Sequence, residues 1–244
     1  IAYKAGEKGI AIRIGVNAGS VDRELREKYG EITADVLVES AMRTLDFLER
    51  CSFRNIVVSL KSSNVVTNTE AYKKISNRIA YPLHLGVTEA GRGLRGIIKS
   101  SLGIGSLLLA GIGDTIRVSL TGDPVEEIFV ARQILQFSGL RCFGPEIVSC
   151  PTCARCKINL FELVDKVEEM AGKINYPLKI AVMGCPVNGP GEAREADIGI
   201  SGGDNIGIIF KKGKVYKKVA ADELIKALEE EIAAMVNRKE ILSH

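Results

Sequence analysis

Residues 11–20 read AIRIGVNAGS. Side chains along a strand alternate between two faces. Ile12, Ile14 and Val16 therefore share one face, and Arg13, Gly15 and Asn17 share the other. The same pattern returns three times. NIVVSLKSS (55–63) sets Ile56, Val58 and Leu60 against Val57, Ser59 and Lys61. PLHLGVTEAG (82–91) sets Leu83, Leu85 and Val87 against His84, Gly86 and Thr88. DTIRVSLTGDP (114–124) sets Ile116, Val118 and Leu120 against Thr115, Arg117 and Ser119. A helical stretch follows each strand, around 34–50, 69–80, 94–110 and 124–138. Thr33 is placed to cap the first helix. Asp123 is placed to cap the last, ahead of Pro124 and two first-turn glutamates.

Strands that alternate with amphipathic helices predict βαβ units and a parallel sheet. An open sheet covered by helices on both faces is apolar on both. A barrel instead keeps an inward face whose C-terminal rim builds the active site. The fold class is therefore α/β, a partial TIM-like (β/α) barrel. Arg13, Asn17, Lys61, His84, Glu89, Arg117 and Ser119 are expected to converge on its mouth. Such a cation-rich set suits a phosphorylated or diphosphorylated ligand. The competing reading pairs Arg13 and Arg117 with strand-end acids inside the barrel. A full barrel takes roughly 200–250 residues, and only about 140 precede the cysteine-rich region. The expectation is half a barrel, from a fragment or an unclosed sheet, with a first residue in mid-pattern that points to a missing natural start.

The totals bound the rest. The 244 residues are 46% hydrophobic and 26% charged, which suits one or two domains with real cores. A net charge of +3 implies no large nucleic-acid footprint. SLLLAGIG, the longest apolar run, is far too short for a membrane span. Six cysteines without a visible secretion signal favour a reducing compartment, the cytoplasm, and metal or redox chemistry over disulfides. GRGLRG (91–96) matches the dinucleotide fingerprint in form, but the acid expected about twenty residues on is absent and Asp114 begins a strand instead. It reads as a glycine loop opening a helix, either a simple loop or one that sets backbone N–H groups near a phosphate.

Residues 141–244 form the second domain, a small α+β unit: a strand at EIVSC, a helix over INLFELVDKVEEMAGKI, a strand at PLKIAVMGC, a strand at IGISGG, a hairpin turning at KKGK and a closing helix. Cys150, Cys153 and Cys156 are spaced C-x-x-C-x-x-C, and Cys185 follows in GCPVNGPGEA. Taken alone, four thiolates close a metal site, and the spacing does not separate zinc from an iron–sulfur cluster. An electron-transfer or zinc-stabilised binding module with a four-cysteine site is thus a standing alternative.

RIGVNAGS, VSLKSS, HLGVTEAG, GIGDTIRVSLTGDPVEEI, CPTC and GCPVNGPGEA together resemble the 4-hydroxy-3-methylbut-2-enyl diphosphate synthase family along nearly the whole chain. The resemblance implies a TIM-like barrel (1–140 here its C-terminal half) joined to a [4Fe–4S] domain. It implies reductive ring opening and dehydration of 2-C-methyl-D-erythritol 2,4-cyclodiphosphate, in the non-mevalonate isoprenoid pathway, with ferredoxin or flavodoxin as electron donor. It also implies a head-to-tail homodimer. The implied cluster ligands are Cys150, Cys153, Cys185 and Glu192, and Cys156 matches no ligand position. The implied substrate contacts are Arg13, Asn17, Lys61, Arg117 and Ser119, and the implied proton-transfer acid is Glu89. Without the barrel's first half, no turnover and weak substrate binding are expected.

Overall fold

Burial along β1 (Ile12–Asn17) follows the alternation: Ile14 and Val16 are buried, and Arg13, Gly15 and Asn17 are exposed. The structure is a computed structural model and describes residues 1–156, 158–185, 191, 193–203 and 205–242. Strand β1 pairs in parallel with β2 (Ile56–Lys61), from Ile12 opposite Ile56 to Asn17 opposite Lys61. A parallel bridge between Val58 and Leu83 joins β2 to the next strand segment, which continues as β3 (His84–Gly86). Strand β3 pairs in parallel with β4 (Thr115–Arg117). Four parallel strands thus lie side by side in chain order.

Helix α1 (Ala2–Glu7) precedes β1, and α2 (Arg23–Tyr29) and α3 (Ala34–Arg50) follow it. Helix α4 (Val65–Ser76) follows β2. It starts ahead of the expected 69 because the Asn64 side chain accepts from the N–H groups of Val66 and Thr67, a cap the apolar pattern does not reveal. Beyond β3, the expected helix 94–110 is divided into α5 (Gly93–Ser100), a π-helical turn (Ser101–Gly105) and α6 (Ser106–Leu109). The turn lies tight on β3: a Cβ on Gly103 would stand 2.4 Å from Val87 Cγ2. Helix α7 (Pro124–Phe137) follows β4, and Asp123 caps it by accepting from Val125 N at 2.8 Å. Thr33 holds the N-cap position of α3 but makes no side-chain cap bond. The apolar strand faces meet these helices in one core, in which Leu37, Val58, Leu60, Ile75 and Leu85 are fully buried. Each such side chain contributes about 1.5–3 kcal/mol.

The chain divides into two compact units, Ile1–Arg141 and Cys142–His244. The second is a five-stranded sheet in the order β5-β6-β7-β8-β9: β5 (Glu146–Ser149), β6 (Lys179–Met183), β7 (Ile198–Gly202), β8 (Ile206–Lys211) and β9 (Lys214–Ala220). Strands β5, β6 and β7 are parallel, and β8 and β9 add antiparallel. The β8–β9 hairpin turns at Lys212 and Gly213, both at positive φ (47° and 74°), as a two-residue turn matched to strand twist demands. Helices α8 (Leu160–Ala171) and α9 (Leu224–Leu242) bury Val167 and Leu228 against Ile180, Ile198 and Ile200. Among the described residues no helix is long and apolar enough to cross a membrane.

Candidate functional site

Register places the cations of the first unit. Asn17 lies opposite Lys61, and Gly86 lies opposite Arg117. Carrying the Val58–Leu83 bridge along both strands puts Lys61 beside Gly86. Asn17, Lys61, Gly86 and Arg117 therefore form one rung across four strands, all on the same face. One rung lower stand Gly15, Ser59, His84 and Thr115, and Arg13 lies below Gly15 on β1. A Cβ on Gly15 would be 3.7 Å from Arg13 Nη1, so the guanidinium runs up the strand past the glycine toward the Asn17 rung.

The rung is electropositive and partly dry. Lys61 is only 7% exposed. Burial first, then the charges of Arg13 and Arg117, bring its pKa down to about 8. Burial, then Lys61, Arg13 and Arg117, holds the His84 imidazole down at about 4, so it is neutral at pH 7. His84 Nδ1 lies 2.9 Å from Thr115 Oγ1. Among the described residues no carboxylate enters the surroundings that set either group. The expectation of strand-end acids paired with the arginines is therefore not met for Arg13 and Arg117 among the described residues. Asp114 turns its carboxylate to Leu83 N, at 2.7 Å. Three cations gathered with no acid paired to them among the described residues form a site for an anion.

Glu89 lies in the bend three residues past β3 at φ 53°, a left-handed conformation that a residue with a Cβ adopts at a cost of order 1–3 kcal/mol. Its Oε1 would be 3.9 Å from a Cβ on Gly19, so the carboxylate lies beside the loop that follows β1. Exposed Asn17 begins that loop, and half-buried Ser119 lies two residues past Arg117, beyond the end of β4. Glu89 and the rung residues thus gather at the C-terminal ends of the four strands.

In the second unit, β5 and β6 are parallel neighbours with Ser149 opposite Val182, so the loops that follow them leave the same sheet end. Cys150, Cys153, Cys156 and Cys185 line one cavity of about 250 Å³ with Pro151, Arg155 and Gly184. All the cysteines are free thiols. Gly184 N–H donates to Cys150 Sγ at 3.2 Å. The Cys156 thiol donates to the Ile158 carbonyl at 3.3 Å and packs so closely on Gly184 that a Cβ there would stand 2.7 Å from its sulfur. Among the described residues no group of three or more His, Cys, Asp or Glu side chains is already gathered to hold a metal ion. Glu192 lies outside the described residues.

Two residues of these sites carry no plain sequence signal, and a third carries one. Tyr72, fully buried on α4, accepts from Leu60 N (3.1 Å) and donates to the His84 carbonyl (2.6 Å), tying β2 to β3 under the rung. Burial pushes its phenol up to about 12. In sequence it is one more residue on an apolar helix face. Arg155 lines the cysteine cavity although nothing in its spacing marks it. Gly86 does carry a signal, since a glycine inside a strand marks a close approach, and here the close neighbours are the Arg117 carbonyl oxygen and the end of the Lys61 side chain.

A cationic anion site on parallel βα units and a four-thiol cavity in a separate α/β unit define the chain as an α/β protein of two units with enzyme-like sites. Comparison with known proteins carries this further. The family model described as "GcpE TIM-barrel domain" matches residues 1–132, and "GcpE protein C-terminal domain" matches residues 146–234. A protein of Caldanaerobacter subterraneus named 4-hydroxy-3-methylbut-2-en-1-yl diphosphate synthase (flavodoxin) is 57% identical over 98% of this chain and 67% of its own length. Proteins of the same name from Clostridium tetani (56%; 95% of this chain, 66% of the relative) and Fusobacterium nucleatum (56%; 98% and 68%) are similar to the same degree. The chain spans about two thirds of the length of the curated relatives it matches. It belongs to the 4-hydroxy-3-methylbut-2-en-1-yl diphosphate synthase family, a family of oxidoreductases.

Proposed function

We propose that the chain provides the diphosphate-binding barrel face and the iron–sulfur domain of a flavodoxin- or ferredoxin-dependent 4-hydroxy-3-methylbut-2-enyl diphosphate synthase. In this reading residues 1–140 are the last four βα units of a TIM-like barrel and residues 141–244 the cluster domain. The reaction opens 2-C-methyl-D-erythritol 2,4-cyclodiphosphate, takes up two electrons and a proton, and releases water. The observation that carries the reading is Lys61, a buried lysine in one rung with Asn17 and Arg117 and with no acid paired to it among the described residues. A dianionic ring supplies the missing charge. The relatives' names support flavodoxin as the electron donor, and the reading extends to a cytoplasmic setting and a head-to-tail homodimer. Six free thiols accord with a reducing compartment.

Arg13, Lys61 and Arg117 hold the two phosphates and offset the charge that grows on the diphosphate as the ring C–O bond breaks. Asn17 and Ser119 hydrogen-bond at the rim and orient the ring. Glu89, at the strand ends, holds the proton that leaves with the departing hydroxyl as water. The donor set of the second unit fits a [4Fe–4S] cluster: soft thiols that line one cavity, with a backbone N–H on one sulfur. Cys150, Cys153 and Cys185 with Glu192 would hold it. A carboxylate is a harder, more easily displaced ligand than a thiolate, so the bound cluster would supply electrons and one Lewis-acidic iron. The hydrogen bond of Cys156 to Ile158 and its packing on Gly184 support a structural thiol there. An electron carrier or a zinc-stabilised module needs neither the rung nor Glu89, and the family matches disfavour it.

Calorimetry with the cyclic diphosphate tests the reading. Lys61→Ala and Arg117→Ala are each expected to weaken binding about 10-fold to 100-fold, the loss of a charge-assisted contact worth roughly 1.5–3 kcal/mol. Binding that is indifferent to both changes would refute the assignment of the rung.

A further inference from the structure

Gly86 is the one position of the Asn17–Lys61–Gly86–Arg117 rung without a side chain. A Cβ built there would stand 3.1 Å from Lys61 Cε, 3.5 Å from Lys61 Nζ and 2.9 Å from the Arg117 carbonyl oxygen. The end of the Lys61 side chain therefore lies across β3, in the space a side chain at 86 would fill. We propose that Gly86 is a positioning residue: its missing side chain seats the Lys61 ammonium over β3, on the side of Arg117, and so sets the spacing of the cations that grip two linked phosphates. The proposal rests on the reading of this face as the diphosphate site, and it adds the feature that fixes the geometry of the grip.

Other features agree. The seat explains how a lysine on an interior strand is buried yet has no carboxylate partner among the described residues: its stem is laid along a neighbouring strand. On β1 the same device recurs in milder form, with Arg13 passing over Gly15 at an ordinary contact distance of 3.7 Å. A long cation and a glycine two residues on (β1) or one strand over (β3) thus recur around the face. Alanine at 15 would be accommodated, whereas alanine at 86 would displace Lys61 or part β3 from β4.

The test uses the full chain, inorganic pyrophosphate as the probe and the Lys61 ¹³Cε resonance, assigned with Lys61→Arg, as the titration readout. Gly86→Ala is expected to fold and to move the Lys61 midpoint from near 8 up toward the ordinary lysine value of about 10.4. It is expected to weaken pyrophosphate binding about tenfold, with no further loss when Lys61→Ala is added. A purely structural role for Gly86 would not move the Lys61 midpoint. If Gly86→Ala fails to fold, the Gly86→Ala/Lys61→Ala pair decides. Recovered folding supports Lys61 as the group the glycine accommodates. A double variant that still fails to fold overturns the proposal, because the Arg117 carbonyl alone then demands the glycine. A folded Gly86→Ala with wild-type midpoint and affinity overturns it as well. If the unaltered protein binds no pyrophosphate, the diphosphate reading fails, and the midpoint of Gly86→Ala still decides the seat.

Discussion

At the scale of single residues, Lys61 carries the most chemistry. Its amine is shared between charged and neutral forms near pH 8, and a bound anion favours the charged form. The complex therefore holds more protons than the free protein above that pH. Pyrophosphate affinity should be full below pH 8 and fall as pH rises from 8 to 10, a dependence Lys61→Ala removes; calorimetry across that range measures it. His84 works on stability instead. Its folded value near 4 lies below the unfolded value of about 6.5, so the unfolded state binds the extra proton between them. Stability should drop as pH falls from 6.5 to 4, and thermal melts of His84→Gln should show a shallower drop. The identities of these groups were legible in strand alternation, since Arg13, Lys61, His84 and Arg117 share a face by parity alone. Their depth was not. That Lys61 is buried and His84 neutral depends on Tyr72, Gly86 and the helices, none of which parity addresses.

At the scale of elements, the four βα units follow from period and turn chemistry, and their boundaries follow from caps. Asn64 starts α4 early because its amide oxygen takes two N–H groups. Asn64→Ala should cost about 1 kcal/mol in chemical denaturation. Thr33 holds the corresponding place on α3 without a bond, so Thr33→Ala should cost less in the same measurement. The π-helical turn at Ser101–Gly105 was not legible, because an apolar pattern does not distinguish a helix from one with an extra residue in its turn. Tyr72 joins two strands through one hydroxyl, and removal of that hydroxyl leaves Leu60 N and the His84 carbonyl buried without it. Tyr72→Phe should lower stability by about 1–3 kcal/mol and loosen hydrogen exchange at Leu60. In the second unit the parallel β5 and β6 bring two cysteine loops to one sheet end, which the strand-then-cysteine order of the sequence already suggested.

At the scale of the molecule, each compact unit holds its own core, and the two family matches fall one on each unit. Residues 142–244 made alone should keep their far-ultraviolet spectrum. The C-x-x-C-x-x-C spacing favoured a closed four-thiolate site when taken alone, and only the family resemblance moved the fourth place to Glu192. That carboxylate was not legible from spacing, since nothing marks one glutamate of GEARE as a ligand. The central claim, a cluster on three thiolates and one carboxylate, is tested most directly by iron and labile sulfide per chain after anaerobic reconstitution, with Mössbauer spectra of each variant. The account predicts about four irons for the unaltered protein and for Cys156→Ser, loss of the cluster in Cys185→Ser, and one altered iron site in Glu192→Ala. Loss of the cluster in Cys156→Ser beside an unchanged spectrum in Glu192→Ala would contradict it.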